Sequence, residues 1–223
     1  MIDAHTHLEN GDLSVEYVCK FIDAAKEKGI THLQILDHTH RFFEFKDCYK
    51  RVCEVSKLQE ECFLKKQKNS IDDYLKLIAA VKKETFDIDV HFGLEVCYTP
   101  ETESLLSSIL KNYHFDFLIG SVHSVNGYLY DMDAFSKELL WNKNDPSTIY
   151  KSYYNSIEKL IQTSVYKGYK QDKIEMRGDR AEMSDFPLYL NTVAGGLDRR
   201  DQTIGGFSFV VKIYAVPVVE IIG

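Results

Sequence analysis

Five positions in the first 123 residues carry side chains suited to a divalent metal: His5, His7, His38, Glu95 and His123. Imidazole and carboxylate are donors that first-row divalent ions accept readily. An ion held by such a set lowers the pKa of a bound water from about 15.7 toward about 7, which suits it to hydrolysis. In His5-Thr6-His7 the spacing of two puts both imidazoles on one side of an extended chain. Taken singly, each position has an ordinary explanation. A His-x-His arises by chance, His38 and His123 suit half-exposed loops, and Glu95 suits a surface. Their placement carries the argument, because each stands at the end of a short apolar run. Asp37-His38 closes His32-Leu33-Gln34-Ile35-Leu36, Glu95 sits in Gly93-Leu94-Glu95-Val96, and His123 closes Ile119-Gly120-Ser121-Val122. In strand–helix barrels the C-terminal strand ends share one mouth, so residues distant in sequence meet there. His32, His91 and His114 fall at or before strand starts and read as structural.

The elements that must position these residues alternate in type. Strands are expected at Ile2–Ala4, Thr31–Leu36, Val90–Val96 and Phe115–Val122. Ser14 reads as the N-cap of a helix that stops at Gly29, and Ser70 as the cap of another through Tyr74, Leu75, Ile78 and Val81. The charged stretch 51–68 reads as helical and solvated. A further helix is expected at Glu101–Lys111, and one more with Pro146 in its first turn. Strands alternating with helices predict an α/β protein with a parallel sheet. The run Phe207–Ile222, interrupted by Lys212, Pro217 and Glu220, reads as one or two strands rather than a membrane span.

The chain has 223 residues, 44% of them hydrophobic and 27% charged, as in ordinary globular proteins. A net charge of −7 argues against nucleic-acid and membrane-surface partners, which call for basic patches. The five cysteines lack a paired spacing and read as reduced thiols. With no basic, apolar leader at the N-terminus, a cytoplasmic protein is expected.

Four segments together resemble a known family. Asp3-x-His5-x-His7-Leu8-Glu9-x-Gly11, Ile35-Leu36-Asp37-His38-Thr39-His40-Arg41-Phe42, Gly93-Leu94-Glu95-Val96-x-Tyr98 and Gly120-Ser121-Val122-His123 look like the successive motifs of the polymerase-and-histidinol-phosphatase (PHP) family, its histidinol phosphatases above all. The resemblance covers about residues 1–164. It implies a distorted seven-stranded (β/α) barrel of TIM-like type, with two or three zinc, iron or manganese ions. It also implies hydrolysis of L-histidinol phosphate to histidinol and phosphate, in histidine biosynthesis. The metal ligands would be His5, His7, His38, Glu95 and His123, with Glu9 in a loop that supplies a further ligand in some members. Asp37 would hold a ligand histidine in orientation. His40 and Arg41 would face the phosphate, Arg41 through its planar fork. The partner implied is a small phosphate ester, and a homo-oligomer is compatible with the reading.

Beyond about Ser164 the motifs stop. The resemblance implies three more ligands there, a histidine followed by an aspartate and a histidine, yet no histidine follows His123. Residues 1–164 therefore read as the N-terminal part of a barrel incomplete at its C-terminus. Residues 165–223 read as an aberrant or divergent tail, leaving a sheet edge open after the fourth strand. A non-catalytic metal-binding fragment and a phosphoesterase for another small ester are the alternative functions.

Overall fold

The apolar runs that end in candidate ligands form the sheet. The computed structural model describes residues 1–163 and 165, together with the backbone of 169–170 and 212–217. Strands β1 (Ile2–His7), β2 (His32–His38), β3 (Asp89–Cys97) and β4 (Phe117–Ser121) pair in parallel and in sequence order. Helices α1 (Val15–Glu27), α2 (Lys50–Val55), α3 (Lys57–Lys66), α4 (Ile71–Val81) and α5 (Glu103–Leu110) fill the connections. A hairpin, β5 (Ser124–Val125) and β6 (Tyr128–Leu129), follows β4. Then come α6 (Ser136–Leu139), α7 (Pro146–Gln162), β7 (Tyr169–Lys170) and β8 (Lys212–Pro217). The α/β class agrees with the sequence reading.

Local chemistry sets the helix ends. The Ser14 hydroxyl accepts the Tyr17 N–H at 3.2 Å, and Gly29 leaves the helix with φ of 68°. Ser70 and Asp73 form a reciprocal capping box at α4, an arrangement whose cap alone contributes about 1 kcal/mol. Pro146 occupies the first turn of α7. α4 buries Ile71, Tyr74, Leu77 and Val81 against the sheet, and each apolar side chain so buried contributes roughly 1.5–3 kcal/mol. The Tyr74 hydroxyl donates to the Gly93 carbonyl at 3.1 Å, tying α4 to β3. Gly93 is required by close approach, since a Cβ there would lie 2.5 Å from the Phe117 ring on β4.

Two expectations change. The 51–68 stretch is two helices broken at Ser56, whose backbone is extended, and Val52, Gln59 and Phe63 are buried rather than solvated. The edge of β4 is not left open, because β8 pairs with it antiparallel, Leu118 opposite Ala215 and Ser121 opposite Lys212. β8 lies within the run where strands were expected. The sheet runs β1-β2-β3-β4-β8-β7, and closure into a seven-stranded barrel is not seen among the described residues. The rest of the expected tail, 165–223, lies outside the described residues. Among the described residues no helix is long and apolar enough to cross a membrane.

Candidate metal centre

Register brings the donors level. His38 stands opposite Glu95 across β2 and β3, and Cys97 opposite Ser121 across β3 and β4. The β1–β2 pairing shifts between Asp3 and Thr6, and the backbone N–H of His5 donates to the Asp3 carboxylate at 3.2 Å. His5, His7, His38, Glu95 and His123 thereby meet in one cluster, although they come from four strand ends.

Glu95 is fully buried at its centre. Its Oε2 lies 2.9 Å from His5 Nε2 and 3.4 Å from His7 Nε2. Its Oε1 lies 2.9 Å from His123 Nε2 and 3.7 Å from His38 Nδ1. The two oxygens therefore face two separate groups of imidazoles. Burial pushes the Glu95 carboxyl up, but the surrounding histidines outweigh it and hold the group well below the usual carboxylate range. Burial lowers the His38 pKa well below the ordinary histidine value, leaving a neutral ring with a lone pair to offer.

The donor set fits divalent ions. His5 Nε2 and His7 Nε2 are only 2.8 Å apart, and both converge on the same carboxylate oxygen. Two imidazole nitrogens and an anionic oxygen crowded together can share protons only in part, whereas a cation among them would satisfy all three. His7 stacks on His38 with ring centroids 4.4 Å apart, and His38 stacks on His40 at 4.8 Å.

Around this core, other expected residues take different places. Glu9 sits at the rim, 3.7 Å from His40 Nε2 and 3.9 Å from Lys66 Nζ, rather than within either donor group. The His40 hydrogen bond, followed by the Lys66 charge, overcomes partial burial and holds the Glu9 carboxyl at about 2. Arg41 departs furthest from expectation. Its side chain is buried, with NH1 donating to Asp37 Oδ2 at 2.9 Å and to the Leu8 carbonyl at 2.8 Å. Nε donates to Asn69 at 2.9 Å, and NH2 to the Gly11 carbonyl at 2.8 Å. A fork so committed cannot also present two parallel donors to a phosphate, so its task here is to fix the loop after His7. Asp37 is its hydrogen-bonded partner, and burial pushes this carboxyl up to about 6 against the pull of the Arg41 charge and, more weakly, that of His7.

Sequence reasoning missed two groups. Asp131 Oδ2 lies 2.8 Å from His123 Nδ1. Burial lowers the His123 pKa, yet the Asp131 charge raises it well above the ordinary value. A carboxylate on Nδ1 fixes the tautomer and turns Nε2 toward the cluster. The signal was Asn126-Gly127, the strongest short hairpin dipeptide. Both residues have positive φ, 54° and 86°, and the return strand carries Asp131 back beside His123. Gln59 pins this hairpin, donating to the Val52 and Gly127 carbonyls at 2.8 and 2.9 Å and accepting the Leu129 N–H at 2.9 Å. The second missed group, Cys97, is two residues past Glu95 on the same strand face, with Sγ 3.9 Å from His38 Nδ1. Burial raises its thiol, but the His123 charge and the His40 hydrogen bond bring it down to about 7.

A sequence profile described as PHP domain matches residues 3–186, past the point near 164 where the motif resemblance ends. The chain is 27% identical over 153 residues to a probable histidinol-phosphatase of Deinococcus radiodurans, covering 66% of this chain and 57% of that protein. It is 30% identical over 172 residues to a probable histidinol-phosphatase of Schizosaccharomyces pombe, covering 72% of this chain and 52% of that protein. The chain thus spans about half the length of the curated relatives it matches.

Proposed function

The chain belongs to the PHP family, and from that premise we propose that it is a metal-dependent phosphatase of a small phosphate monoester, with L-histidinol phosphate as its substrate. One observation carries the reading: the two oxygens of buried Glu95 face two distinct groups of imidazole donors. Divalent ions held there, drawn from zinc, iron or manganese, would polarise phosphate oxygens and activate a water.

The chain's own residues have separable tasks. Glu95 keeps negative charge between the two groups. Asp131 holds the proton at His123 Nδ1 and so presents Nε2 to the centre. Arg41 fixes the loop carbonyls of Leu8 and Gly11 behind His7. His40, stacked on His38 and facing Glu9, lies beside the cluster as the group that binds the substrate phosphate. The names of the curated relatives support histidinol phosphate over other esters.

A second reading is a metal-binding unit with no phosphatase activity of its own. It is favoured by the sequence after His123, which has no further histidine to complete a centre. Phosphate release from histidinol phosphate and from a panel of other monoesters, with metal supplied and then chelated, separates the two. Chelator-sensitive release from histidinol phosphate is expected. Release from other esters alone would refute the substrate while leaving the reaction class. Metal bound without any release would favour the second reading.

A further inference from the structure

Cys97 differs from the other four cysteines in its surroundings. Cys19, Cys53 and Cys62 lie on helices, and Cys48 lies in the 43–49 segment, where burial pushes its thiol up to about 12. Cys97 ends β3 and points into the imidazole cluster. One donor atom each from His38, Cys97 and His123 lie within 4.8 Å of one another. Its Sγ is 3.9 Å from His38 Nδ1, which is itself 3.7 Å from Glu95 Oε1. Zinc–nitrogen bonds of about 2.0–2.1 Å and a zinc–sulfur bond of about 2.3 Å at tetrahedral angles place donors roughly 3.3–3.6 Å apart. The two distances from His38 Nδ1 exceed these by a few tenths of an ångström, and His123 Nε2 lies closer to Glu95 Oε1, at 2.9 Å, so small side-chain shifts would bring the donors onto one ion.

We propose that Cys97 is a thiolate ligand of the ion held by His38, His123 and Glu95 Oε1, so that the two subsites on either side of Glu95 differ in kind. This rests on the metal-centre reading above and adds to it a ligand and a preference. Among the described residues, the subsite of His5, His7 and Glu95 Oε2 has nitrogen and oxygen donors only. The other gains a soft sulfur donor, which selects zinc, cobalt or cadmium over manganese or magnesium. On binding, the S–H bond breaks, its electron pair becomes the sulfur–metal bond, and the proton leaves to solvent. The competing role for Cys97 is a thiol that only hydrogen-bonds its neighbours.

The test is titration of the metal-stripped full chain with cobalt(II), read in the near ultraviolet, where thiolate-to-metal charge transfer absorbs. A band that saturates at one equivalent, persists in Cys62→Ser and disappears in Cys97→Ser is expected. Zinc affinity at one subsite should fall at least about tenfold in Cys97→Ser, with the other subsite unchanged. Alkylation of Cys97 in the unmodified chain, followed by peptide mass spectrometry, should slow when zinc is present, a readout independent of how the variant folds. Cobalt bound with no charge-transfer band, a band that survives Cys97→Ser, or alkylation indifferent to zinc would each overturn the thiolate ligand. Failure of the folded chain to bind cobalt at all would instead overturn the metal centre, and this ligand with it.

Discussion

The two donor groups that share Glu95 are assembled in different ways. His5 and His7 come from one strand end, two residues apart, and reach Glu95 Oε2 across β2. His38, Cys97 and His123 come from three strands and depend on register across β2, β3 and β4. The first group is secured from behind by Arg41, which grips the loop after His7. The second is secured by Asp131, delivered by a hairpin that Gln59 pins in place. A group local in sequence needs a scaffold only for its loop, whereas a group spread over three strands needs the sheet and a hairpin to be correct at once.

Glu95→Gln strikes both groups together and should have the largest effect. It keeps the shape of the side chain but removes the charge the two groups share. Metal content by elemental analysis should fall to background for both, with the fold retained by circular dichroism. Retention of one full equivalent would show that the groups are independent of this carboxylate.

Arg41→Ala separates the scaffold of the first group from its ligands. Removing one partner of a buried pair leaves an uncompensated charge, here on Asp37, and costs about 3–5 kcal/mol. Chemical denaturation should show a loss of this order. A fully stable variant that loses only substrate affinity would return Arg41 to phosphate binding.

These contrasts also mark what was legible in the sequence. His5, His7, His38, Glu95 and His123 could be read because each type is rare at a strand end and each strand was apolar enough to be recognised. The role of Arg41 could not, since its partners include the main-chain carbonyls of Leu8 and Gly11, which leave no trace in residue type. Cys97 has no paired-cysteine spacing to mark it, although period-two geometry places it on the face of Glu95. The break at Ser56, where the backbone is extended, has no mark in the charged pattern of 51–68, because the contact that folds α3 back on α2 runs from the Gln59 amide to a main-chain carbonyl, that of Val52. The helix caps at Ser14 and Ser70 were legible because their signal is local.

Asp131→Asn tests the support of the second group and should have a smaller effect. The amide can still accept from His123 but carries no charge to strengthen the imidazole. Affinity at one subsite should fall about ten- to a hundredfold, measured by competition with a chromophoric chelator, while the subsite of His5 and His7 keeps its ion. An equal loss at both subsites would mean that the groups are coupled more tightly than their separate scaffolds suggest.

Everything above turns on these convergent donors holding metal. Elemental analysis of the purified, folded chain after dialysis against metal-free buffer tests it most directly. At least one divalent transition metal per chain is expected, carried through dialysis. Protein that is folded by circular dichroism yet has no such metal above background, even after exposure to zinc, iron or manganese, would contradict it.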